Sequence, residues 1–203
     1  MKKNRIITII TIINITIIAL IAGFWIYSSQ YSAREIQQMV SNAYRKDNYI
    51  VYTSCENFIY PEISFSKLAR KGNIRKIETL GMTIWQTENM EIQEDNKTYI
   101  KTNQDLDDVT LCNNSAAVFR YVKKEKYNNK KCIVVQYIEK YDNAKKHPKT
   151  VYWIDEEAGT IEKMESYDEN GFLEYRYHYI TEFDCVESSE MILPDIQEYR
   201  ELN

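Results

Sequence analysis

Between Lys149 and Asp184 the chain leaves its backbone little choice. Lys149–Asp155, Thr160–Tyr167 and Phe172–Asp184 are runs of β-formers, parted by Glu156-Glu157-Ala158-Gly159 and Asp168-Glu169-Asn170-Gly171. Asp168 can accept a backbone N–H at the first turn position, and Gly171 takes a left-handed last position at little steric cost. The three runs predict an antiparallel meander.

The rest of the chain extends that reading. Ser32-Ala33-Arg34-Glu35 is a capping-box pattern. After it Ile36, Met39, Val40, Ala43 and Tyr44 recur at helical spacing, opposite Arg34, Gln37, Gln38, Asn42 and Arg45. Such a stripe needs a partner, either the sheet or a membrane surface. Strands are expected over Tyr49–Phe58, Ile63–Ala69, Ile74–Thr79, Met82–Thr87, Thr98–Thr102 and Cys132–Tyr141. Glu88–Lys97, Asp105–Ser115 and Asn143–Pro148 read as polar connections, and Ala116–Tyr127 fits a helix or a strand. With 17 tyrosines and 5 glycines the composition favours strands over disorder. The expected class is α+β, mostly β: one amphipathic helix packed on a curved antiparallel sheet of eight to ten strands.

Ahead of this domain lies Ile6–Tyr27, which carries no charged residue. As a helix it would span about 33 Å, enough to cross a ~30 Å hydrocarbon core. Lys2, Lys3 and Arg5 precede it, and Trp25 and Tyr27 close it. That asymmetry predicts a cytoplasmic N-terminus and a domain outside the cell membrane. An uncleaved single-pass anchor over residues 1–28 and an extracytoplasmic domain over 29–203 are expected. A cleaved signal peptide is the alternative, with Leu20-Ile21-Ala22 a poor cleavage site.

Charge narrows the partners. The net charge is −4, and it is more negative still once the three basic residues before the apolar run are set aside. Such a domain has no general attraction for nucleic acid. Cys55, Cys112, Cys132 and Cys185 form no CxxC and no zinc spacing; outside the cytoplasm they permit two disulfides or four separate thiols. His147 and His178 are the two histidines, and neither stands in a Ser/His/Asp or Cys/His pattern. His178 with Asp184 and Cys185 could be drawn as a metal site, but a solvated strand histidine explains it as well. No cofactor and no enzymatic activity are expected.

The pattern points instead to a surface. In the last strand Leu173, Tyr175, Tyr177 and Tyr179 project to one side, and Phe172, Glu174, Arg176 and His178 to the other. Val151 and Trp153 share a side of their strand, as do Ile133, Val135 and Tyr137 of theirs. A sheet with one aromatic and one charged face follows. Trp85, Trp153, Tyr175, Tyr177 and Tyr179 are the candidate ligand contacts, with plain core packing as the alternative.

Val151-Tyr152-Trp153-Ile154-Asp155-Glu156-Glu157-Ala158-Gly159 is followed by Ile161-Glu162-Lys163-Met164-Glu165, an Asp-x-x-Gly hairpin and, near the end, Leu193-Pro194. This order resembles the LolA-like family, the outer-membrane lipoprotein carriers and their relatives. The resemblance implies a half-barrel of antiparallel sheet closed by helices, whose concave face holds lipid or acyl chains in some members. Other members are regulatory domains outside the membrane. Two functions are therefore expected in competition: a lipid or lipoprotein binding domain, and a protein-interaction domain with a filled core acting on another membrane protein.

Overall fold

The computed structural model describes residues 31–103, 106, 111, 117–140 and 146–202. The chain divides into two units, Met1–Ser32 and Ala33–Asn203, and every element below belongs to the second. The anchor expected at residues 1–28 lies outside the described residues. Among those described, no helix is long and apolar enough to cross a membrane.

One α-helix, α1 (Ala33–Tyr44), precedes twelve strands among the described residues. In chain order they are β1 (Asn48–Asn57), β2 (Glu62–Lys71), β3 (Ile74–Thr79), β4 (Met82–Thr87), β5 (Met90–Gln93), β6 (Thr98–Lys101), β7 (Val118–Tyr127), β8 (Lys130–Ile138), β9 (Lys149–Asp155), β10 (Ile161–Tyr167), β11 (Leu173–Phe183) and β12 (Arg200–Glu201). They form one open, curved sheet of order β12-β6-β5-β4-β3-β2-β1-β11-β10-β9-β8-β7. All pairings are antiparallel except that of β12 with β6. Two meanders, β1–β6 and β7–β11, therefore meet along a single β1–β11 pairing.

The expected meander is present. Asp168 accepts the backbone N–H groups of Asn170 and Phe172 at 2.8 Å each, and Gly171 takes φ +86°. The segment that fitted helix or strand is β7, whose register shifts between Tyr121 and Lys123. Two strands have no counterpart in the sequence reading. In β5, Ile92 is buried opposite Trp85, but its two neighbours and the flanking run are polar. β12 is two residues long, held by Arg200 N–H to Lys97 O at 2.9 Å and Leu202 N–H to Tyr99 O at 2.8 Å.

The helix settles on the sheet, as its stripe required. Ile36, Val40, Ala43 and Tyr44 are buried, and on the sheet beneath Ile133, Val135 and Ile154 are fully so. Each such side chain contributes roughly 1.5–3 kcal/mol, so this layer dominates the core. Tyr44 packs edge-on to Tyr49 at 5.6 Å, and its hydroxyl lies 3.4 Å from Thr181 Oγ1 and accepts the Ile161 N–H. Where α1 passes the β9–β10 turn the backbones nearly touch: a Cβ at Gly159 would sit 2.6 Å from the Met39 carbonyl oxygen.

Between β6 and β7, the described residues Leu106 and Leu111 meet side chains of the helix face. Leu106 O accepts from Arg70 of β2 and Arg75 of β3. Leu111 donates its N–H to Gln37 of α1 at 3.2 Å, and its carbonyl accepts from Tyr152 of β9. The opposite face, here the open face, has smaller cores. Val186 and Met191, from the C-terminal segment, cover Ile50 and Ala69. Cys132, Val134 and Trp153 form another, flanked by Tyr127 and Val151.

Candidate binding surface

Register decides which side chains meet. Across the β1–β11 pairing Thr53 faces Tyr179, Cys55 faces Tyr177 and Asn57 faces Tyr175. On the other side of β11, Met164 faces Tyr177 and Ser166 faces Tyr175. One strand further out, Ser66 and Ser64 of β2 face Thr53 and Cys55. Directly opposed residues share a face. The tyrosine row therefore stands on the helix face, between columns of mostly small side chains.

Tyr175 and Tyr177 lie 6.3 Å apart between ring centroids, and Tyr177 stacks on Tyr179 at 6.3 Å. The row starts at the end of the sheet where β11 begins and runs toward Thr181, where Tyr44 of α1 sits. The α1 contacts of Tyr44 and Met39 lie at that far end, and Tyr175 is flanked by Asn57 and Ser166. Across β1 and β2 the large rings thus stand beside Thr, Cys and Ser, whereas across β10 Met164 stands beside Tyr177. Further aromatics continue the lining on the same face: Phe119 packs on Tyr137 at 5.6 Å, and Tyr137 on Tyr152 at 5.9 Å. Sequence reasoning assigned none of these three to a ligand surface. Their signal lay in the register, which places Tyr152, not Trp153, on this side of β9.

Burial tunes the row. It pushes the Tyr177 phenol up to about 12, assisted by a hydrogen bond with the Cys55 thiol. Tyr179 is raised further, again chiefly by burial. Both are neutral hydroxyls at any physiological pH, which suits contact with uncharged chains.

The other candidates stand elsewhere. Trp85 and Trp153 both lie on the open face, six strands and roughly 29 Å apart. Trp85 donates to Glu94 at 2.8 Å with Lys76 over its ring; Trp153 donates to Glu125 with Lys163 at 4.2 Å. Both indoles thus have fixed partners. The open face also carries two of the expected charged side chains, Arg176 and His178, in one network. Glu165 accepts from Lys163 at 2.8 Å, from Arg176 at 2.9 Å and from Tyr167; Arg176 reaches Glu56 at 3.2 Å; His178 meets Tyr127 and Glu56. His178 is separated from Asp184 and Cys185 by most of a strand, about 20 Å. Among the described residues no group of acidic, Cys or His side chains could hold a metal ion.

Cys55, Cys132 and Cys185 are free thiols. Cys55 and Cys132 are four strands apart, roughly 19 Å, and Cys185 lies beyond the far end of β11, whereas a disulfide needs Cα atoms within about 7 Å. Burial pushes the Cys132 thiol up to about 11, helped by the Glu162 and Asp155 charges, so it packs as a small apolar group. Cys112 lies outside the described residues.

No protein-family model matches the chain, and none of the curated proteins does. Solved structures match by shape. A chain of the Pseudomonas aeruginosa MucA/MucB complex superposes at TM-score 0.56 and 10% identity, over 79% of this chain and 60% of that one. This chain thus spans under two thirds of that protein's length. A conserved protein from Thermus thermophilus superposes at 0.58 and 10% identity, over 85% of this chain and 99% of that one. A LolA superfamily protein from Nitrosomonas europaea is matched at 0.37 and 10% identity, over 80% and 98%. At such identities the likeness to the MucB chain and to the Thermus protein is one of fold.

Proposed function

We propose that this chain is a non-catalytic, extracytoplasmic binding domain tethered by its N-terminal segment, and that it holds a lipid or lipoprotein acyl chain along the tyrosine row. The observation that carries this is the row itself: Tyr175, Tyr177 and Tyr179 as a ridge, with Thr53, Cys55, Ser64, Ser66 and Ser166 as the floor beside it. Ten methylenes of a tail laid there would gain about 8 kcal/mol gross, before the costs of association. The resemblance of the Val151–Pro194 motifs to the LolA-like family supports the same reading. On the open face Glu165, Arg176 and Glu56 are bound to one another and to Lys163 and His178, which supports a structural rather than a chemical role for that network.

Native mass spectrometry of the full chain, released from mild detergent, tests it. The wild type should carry a lipid-sized adduct. Cys55→Phe, which fills the floor beside Tyr177, should lose most of it while keeping its circular dichroism. A wild type without adduct, or a filled variant that binds equally, overturns the proposal.

A second reading is a regulatory domain that binds a protein segment. Tyr52 and Ile180, directly paired on the open face, are exposed with Phe65 close by, and exposed apolar clusters mark interaction sites. The solved complex of MucA with MucB, similar in fold, supports it. Crosslinking in intact cells should then recover one discrete partner, lost on Tyr52→Ser with Ile180→Ser; labelling unchanged by that pair of substitutions rejects it.

A further inference from the structure

Strand direction sorts the turns into two ends. The β9–β10 turn and the Tyr44 end of α1 lie at one; the β1–β2 and β10–β11 turns lie at the other, where the tyrosine row begins, and the β3–β4 turn points the same way but, with Thr79 opposite Ser66, is set back by four residues of β2. At that second end large apolar side chains stand in water: Phe58 is 45% exposed, Ile59 47%, Tyr60 72%, Leu80 79%, Met82 47% and Phe172 72%. The β1–β2 and β10–β11 turns adjoin, through Phe58 N–H to Glu174 O at 2.8 Å.

Leu80 is held there against its own preference. It takes φ +37° and is followed by Gly81 at +79°, left-handed positions that a branched side chain disfavours. The β7–β8 turn fills the same two positions with Asn128 and Asn129, the residue type that tolerates them. A strained residue that is also the most exposed apolar one at this end serves its surroundings rather than its turn.

We propose that this end of the sheet dips into the lipid–water interface of a bilayer. Phe, Tyr, Ile and Leu on separate turn tips are the side chains such an interface accepts. Charge does not favour an anionic partner: exposed Glu62 and Glu169 flank the tips along with Lys146, so apolar contact supplies the attraction. The tips also border the start of the tyrosine row, since Phe58 follows Asn57, the partner of Tyr175. An acyl chain leaving a bilayer across this end would reach the row directly. The inference rests in that respect on the acyl-chain reading.

The test uses the full chain reconstituted into phosphatidylcholine vesicles, with or without lipids brominated high on the acyl chain. Tyr60→Trp places a reporter on a tip, and Ile192→Trp places one in the C-terminal segment; the emission of the three native tryptophans is subtracted. Emission from the tip should fall at least about twofold in brominated vesicles, and that from Ile192→Trp should stay unchanged. Phe172→Trp repeats the measurement from the adjoining turn. Equal emission in the two kinds of vesicle at both tips overturns the proposal; so does a concentration-dependent dimer that protects the tips from quenching, which would give this end to a second copy. Lipid adducts weighed in the same preparation keep the two ideas apart. Quenched tips without adduct reject only the acyl-chain reading, and adduct without quenching rejects only the membrane-docked end.

Discussion

At the scale of single residues, the tyrosines should set the alkaline limit of this fold. Tyr177 is lifted from 10.0 to about 12 by burial and its Cys55 contact, and Tyr167 likewise to about 12 by burial and the Glu165 charge. A phenol whose pKa is raised by folding favours the native state fully below its unfolded value, and that contribution drains away as pH climbs through the folded one. Stability should therefore hold to about pH 10 and fall between about 10 and 12. Denaturant midpoints across that range should drop in step with tyrosinate absorbance, and the drop should shrink in Tyr177→Phe with Tyr167→Phe. Midpoints flat to pH 12 would contradict this. That these tyrosines form a row was legible from the alternation of β11. That Trp153 stands away from them was not, because alternation fixes which residues of one strand share a side and leaves open how two strands align.

At the scale of elements, α1 and the β9–β10 turn are locked by one missing side chain. Gly159 holds φ +73° against the Met39 carbonyl, so Gly159→Ala meets both a conformational and a steric cost. We expect it to destabilise the domain by about 2 kcal/mol or more and to loosen α1 selectively. Chemical denaturation gives the first, and hydrogen exchange of the Ile36 to Val40 amides the second. Loss of stability without faster helix exchange would mean the turn alone is strained. The helix, its buried stripe and the central meander were all readable, since periodicity and turn residues agree there. β5 was hidden because one buried residue in a polar run carries no period. β12 was hidden because its partner is remote in sequence, and two residues cannot announce a strand.

At the scale of the whole domain, order should be graded across the sheet. Ile133, Val134 and Val135 of β8 and Ile154 of β9 are all but sealed from water, whereas β12 is two exposed residues on the edge of β6. Amide exchange should be slowest in β8 and β9 and fastest in β12, with β5 and β6 between; comparable rates in β8 and β12 would refute a graded sheet. The seam where β1 meets β11 has a further consequence. It is the one strand pairing that joins the two meanders, so it acts as a spine, and the tyrosines of β11 stand on it. Anything lying along those rings touches strands of both halves at once. Occupancy and the cohesion of the two leaves would then be a single variable, and a filled domain would announce itself by resisting being pulled open.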